Sequence, residues 1–130
     1  MIRSIITILT IVMILGIAGL YTIHVWIEKD VKENIAVVKS MYPGNAEEAL
    51  LSFLLDDSNP TIERTHIAIW TLGQIGSKKA LPVLKEYYQN DPNGETCIGK
   101  HHELLCQYEI NKAIEAIDGH RLFKHARLIK

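Results

Sequence analysis

The chain has 130 residues, 48% of them apolar and 22% charged, with a formal net charge of −1. That length allows one modest domain, and the balance of charge excludes both a strongly basic nucleic-acid binder and a disordered polyelectrolyte. Two cysteines exclude a disulfide-dense miniprotein.

The charge is unevenly spread. Residues 5–27 contain no Asp, Glu, Lys or Arg, whereas 13 of the 14 basic and all 15 acidic residues follow residue 27. As a helix rising 1.5 Å per residue, this stretch covers roughly 34 Å, enough to cross a hydrocarbon core of about 30 Å. Thr7, Thr10 and Thr22 can return their hydroxyls to backbone carbonyls, and Tyr21, His24 and Trp26 stand where amphipathic rings prefer the headgroup level. The expectation is a single-pass anchor through residues 5–27. The competing reading is a signal peptide cleaved after Gly16-Ile17-Ala18, but the apolar run continues nine residues further than cleavage needs.

Orientation draws on opposed signals. Lys29, Lys32 and Lys39 outnumber Arg3, which favours a cytoplasmic C-terminal domain. The four-residue N-terminal tail before the apolar run resembles a bacterial signal-anchor, which implies the opposite. With the cysteines read as a disulfide, the expectation is a bacterial inner or plasma membrane with the domain extracytoplasmic.

Beyond the anchor, Val31, Ile35, Val38 and Tyr42 recur at helical spacing, so residues 28–45 read as a continuing helix closed by Pro43-Gly44. Asn45 and Glu48 form a capping pair for a helix facing inward with Ala46, Ala49, Leu50, Phe53 and Leu54. After Asp56-Asp57-Ser58-Asn59-Pro60, a second helix opens at Thr61, buries Ile62, Ile69, Leu72 and Ile75, and stops at Gly76. A third starts at Ser77 and carries Leu81, Leu84 and Tyr88. A fourth runs from near Glu103 through Ile110, Ile114 and Ile117 to Gly119. No window alternates with period two for long enough to make a strand.

These four helices read as two copies of one unit. Ala49-Leu50-x-x-Phe53 matches Ala80-Leu81-x-x-Leu84, and Ala68-Ile69-x-x-Leu72 matches Ala113-Ile114-x-x-Ile117, with 14 extra residues inside the second copy. Arg64-x-x-x-Ala68-Ile69-Trp70-x-Leu72-Gly73-x-Ile75-Gly76, followed by Ala80-Leu81-Pro82-x-Leu84, resembles the HEAT repeat, especially the short bacterial kind related to phycobilisome-lyase repeats. At 110–119 the pattern departs, with Asp118 in place of the first glycine. The resemblance implies an all-α fold: a short α-solenoid of two HEAT-like helix pairs at residues 46–119, after a transmembrane helix that runs into a capping helix. Because solenoids need at least three stacked units to bury a continuous core, residues 28–45 and the tail 120–130 are expected to cap it. The tail has four basic residues and no acid; Leu122, Ala126 and Ile129 would face inward, and the alternative is contact with anionic lipid or an acidic partner.

One cluster looks chemical: Cys97-x-x-x-His101-His102-x-x-x-Cys106, which falls in the 14-residue insertion. The favoured reading is a Cys97–Cys106 disulfide closing the loop. The alternatives are ordinary thiols, or a zinc set of Cys97, His101, His102 and Cys106, which would require residues 97–101 to fold back as a loop rather than continue as helix. Asp56-Asp57 reads as a solvated turn, not a catalytic pair. No nucleophile elbow, P-loop, HExxH or dinucleotide fingerprint is present. The expected function is a membrane-anchored interaction module, a scaffold or adaptor for a protein partner, with no enzymatic activity, cofactor, nucleic acid or small-molecule substrate. The alternatives are a lyase-like or chaperone accessory, suggested by the family resemblance, and a metal-binding module built on the insertion.

Overall fold

The computed structural model describes residues 2–119, with side chains from Ser4 onward; the expected basic cap at 120–130 lies outside the described residues. These residues are all helical apart from turns and loops, with no strand among them. They fall into two compact units that divide at Asp30/Val31.

The first unit is formed by the beginning of α1 (Ile2–Met41). It contains a helix long and apolar enough to cross a membrane, and none of its most apolar window is buried by protein. Ile5, Leu9, Met13, Leu15, Leu20 and Tyr21 are all exposed, an arrangement unfavourable in water and natural in lipid. The Thr10 and Thr22 hydroxyls donate to the carbonyls of Ile6 and Ala18, each at 2.9 Å, so neither brings an unsatisfied donor into the span.

The second unit begins with the last turns of α1, where Val31 and Val38 are fully buried and Ile35 and Tyr42 half-buried. α2 (Ala46–Leu55) opens with a complete capping box: the Glu48 N–H donates to Asn45 Oδ1 at 3.0 Å, and the Asn45 N–H donates to Glu48 Oε2 at 3.2 Å. Its inward face is Ala46, Ala49, Leu50, Phe53 and Leu54, all buried. Its C-terminal carbonyls are satisfied by side chains from beyond the turn. Asn59 Nδ2 donates to Phe53 O at 3.0 Å, and Arg64 Nε donates to Leu54 O at 2.7 Å.

α3 (Thr61–Glu63), a π-helical segment (Arg64–Ile69) and α4 (Trp70–Ile75) follow one another with helical dihedrals at both junctions. α4 ends on Gly76 at φ 68°, while the Ser77 N–H reaches back to Leu72 O at 3.1 Å. This left-handed C-terminal close is the one glycine accepts without strain. α5 (Ala80–Tyr87) is preceded by Ser77, whose hydroxyl accepts the Ala80 N–H at 3.1 Å and donates to Glu47 on α2. Leu84 is buried, and Leu81 and Tyr88 are half-buried.

The last helix, α6 (Gln107–Ile117), starts four residues later than the expected Glu103. The N–H groups of Glu103 and Leu104 both close turns on Lys100 O, and the helical ladder begins only with Ile110 donating to Cys106 O. Ile110, Ala113, Ala116 and Ile117 are buried, and α6 packs mainly on α4 and then on α5.

Candidate functional site

The insertion between α5 and α6 holds the cluster, and its turns are fixed from both ends. Asp91 accepts from the Glu95 N–H at 3.0 Å and from the Thr96 N–H and hydroxyl at 2.8 and 2.7 Å. These bonds, the Thr96 pair foremost, hold the Asp91 carboxyl below its ordinary value. Gly94 follows at φ 69°, and a β-carbon there would stand 3.1 Å from Tyr108 Cβ and 3.3 Å from Cys97 Sγ. Glycine is therefore favoured by the dihedral, in a space that is tight for a β-carbon.

A single 3₁₀ turn (Glu95–Cys97) then buries Cys97 completely. Its Sγ donates to Gly94 O and accepts the Gln107 N–H, both at 3.2 Å. At the far end, the Cys106 N–H points to Thr65 Oγ1 in the π-helical segment at 3.4 Å. The Gln107 side chain bridges the Gln89 N–H at 2.8 Å and Tyr87 O at 3.2 Å, which ties the start of α6 to the end of α5.

Residues 97–106 therefore fold back as a loop, the condition under which the two i, i+4 pairs can converge. The Sγ atoms of Cys97 and Cys106 and a ring nitrogen of His101 lie within 4.8 Å of one another. Both cysteines are buried and His101 is exposed. His102 is outside this trio, so three of the four residues in the alternative zinc set come together.

The expected Cys97–Cys106 disulfide is not formed: both are free thiols. The Cys97 sulfur is hydrogen-bonded to Gly94 O and the Gln107 N–H, and the Cys106 sulfur lies near it without a bond between them. Burial, reinforced by the adjacent Cys97, pushes the Cys106 thiol up from its ordinary value.

Beside the trio lies an open cavity of about 610 Å³ whose walls include His66, His101, His102, Cys106, Tyr108 and Glu109. Sequence reading missed His66 and Glu109 because they belong to other helices, and periodicity carries no signal for such a meeting.

The Asp56-Asp57 corner is structural. Asp56 accepts from the Ser58 N–H at 2.9 Å, from the Ser58 hydroxyl at 2.6 Å and from the Tyr42 hydroxyl at 2.6 Å. Asp57 pairs with the buried Arg64 at 2.7 Å. Comparison of the chain with protein-family models, with curated proteins and with solved structures gives no match.

Proposed function

We propose that the chain is a membrane-anchored helical-repeat module that binds a protein partner, acting as a scaffold or adaptor and not as a catalyst. The observation that carries this reading is an uncharged 23-residue run, exposed along its length, in the same chain as a domain with a closed helical interior. Anchoring confines a binding surface to the membrane plane, where encounters with other membrane-associated proteins are favoured.

The packing inside the second unit supports a repeat of helix pairs. α2 lies on the π-helical segment, α5 lies on α6, and the second helices of the two pairs, α4 and α6, pack on each other. These are among the contacts that two stacked HEAT-like repeats would make. In this reading the anchor sits in a bacterial inner or plasma membrane, and the protease test below fixes the side on which the domain lies. The disulfide that had favoured an oxidising side is not formed.

The test is protease accessibility in intact cells, combined with photo-crosslinking from the exposed Val37, Leu55 and Leu104. A discrete adduct at one of these positions, and none from a buried control position, supports the module. A membrane-bound chain that gives no adduct from any exposed position of the domain refutes it.

A further inference from the structure

The loop between α5 and α6 is more heavily braced than a connector requires. Asp91 fixes its entry with three hydrogen bonds, Gly94 lets the backbone pass under Tyr108, and Gln107 fixes its exit. What this bracing holds in place is two buried sulfur atoms with an imidazole beside them. We propose that Cys97, His101 and Cys106 are the protein ligands of a zinc-class divalent metal ion, whose fourth position opens to the cavity lined by His66, His102 and Glu109.

The distances fit this assignment. With bonds of about 2.3 Å to sulfur and about 2.0 Å to nitrogen, the corners of a tetrahedral zinc site stand roughly 3.4–3.8 Å apart. The three donors lie within 4.8 Å of one another, so closure needs a shift of about an ångström at most. The ligand chemistry selects the metal: two thiolates and an imidazole suit zinc, and an all-oxygen site for calcium or magnesium is not present in the trio. Binding releases the two thiol protons to solvent, and the Gln107 N–H already aimed at Cys97 Sγ would remain as a donor to the thiolate. Gly94 O, which now accepts from that thiol, loses only this bond and retains the Cys97 N–H at 3.2 Å.

Three protein ligands beside an open cavity leave a coordination position for water or for a donor brought by a partner. This goes beyond the interaction reading: the metal site stands or falls independently of whether the domain binds a protein.

The full-length chain, purified in detergent with a non-thiol reductant and dialysed against zinc, should retain stoichiometric metal by elemental analysis. Cobalt in place of zinc should give the strong d–d bands of a four-coordinate ion and a thiolate charge-transfer band. Cys97→Ser, Cys106→Ser and His101→Ala should each weaken zinc binding by about 100-fold or more, beyond the 10–100-fold typical of groups behind the ligands. His102→Ala should weaken it by less than about tenfold. His101 is exposed, so His101→Ala with an unchanged circular dichroism spectrum tests the site even if a cysteine variant fails to fold. A reduced chain that retains no zinc overturns the proposal. So does zinc binding that survives His101→Ala, or that His102→Ala abolishes equally. Disulfide formation without reductant, with no zinc taken up after reduction, assigns the two sulfurs to redox pairing instead.

Discussion

A β-carbon on Gly73 would lie 2.9 Å from the Cα of Ala113 and 3.0 Å from its Cβ. Two helices of the second unit, α4 and α6, thus approach so closely that one of them can carry no side chain at the crossing. Since the near atom is backbone, no rotamer change can relieve the clash. Gly73→Ala should overpack this crossing and cost about 1–3 kcal/mol, read from denaturant unfolding in detergent micelles. Ala113→Gly in the same chain should not restore stability, because the backbone at residue 113 would still stand in the way. An unfolding midpoint unchanged by Gly73→Ala would show that the two helices stand further apart.

Arg64 and Asp57 form an unequal pair. The Arg64 side chain is 8% exposed and also donates to Leu54 O, whereas the Asp57 side chain is 88% exposed. Arg64→Ala removes the hydrogen bond that satisfies the end of α2 and should cost about 1.5–3 kcal/mol. Asp57→Asn removes only a solvent-screened ion pair and should cost less than about 1 kcal/mol. Equal losses in the two variants would shift the weight to the ion pair and away from the carbonyl cap.

The Asp56 corner gives the second unit a pH dependence. The Ser58 hydroxyl first, then the Tyr42 hydroxyl and the Ser58 N–H, bring the Asp56 pKa down to about 2 from an ordinary 3.8. A folded-state pKa below the unfolded one means stability that is complete above about pH 4 and lost as pH falls towards 2. On the alkaline side, the same hydrogen bond raises the Tyr42 pKa above 10.0, so its contribution is lost as the phenol ionises. Asp56→Asn should flatten the acid limb of an unfolding-midpoint profile, and Tyr42→Phe should flatten the alkaline limb. An acid limb unaltered by Asp56→Asn would assign it to other carboxylates.

The apolar stretch predicts behaviour in the membrane fraction. A chain with this run inserted should remain, at full length, in the pellet after alkaline carbonate washing. Release of a chain beginning near Gly19 would show cleavage and make the stretch a signal peptide.

The charge-free interval between Ser4 and Glu28 determined by itself that one helix could satisfy its backbone internally while exposing apolar side chains. Asn45 with Glu48 and the stop at Gly76 were equally legible, because caps and left-handed turns depend on residues within a few positions. The buried face of α2 was readable for the same reason, as helical periodicity is a local property. Tertiary structure decided what lies between distant segments. The Cys106 N–H is directed to Thr65, 41 residues away, and Cys97 Sγ is engaged by Gly94 and Gln107, contacts that hold the loop and delay the start of α6. The same folding-back brings His101 to the two cysteines and leaves His102 out, although the two histidines are adjacent in the chain. Spacing can count the donors in this loop, but only the loop's hydrogen bonds to α6 and to the π-helical segment decide which of them meet.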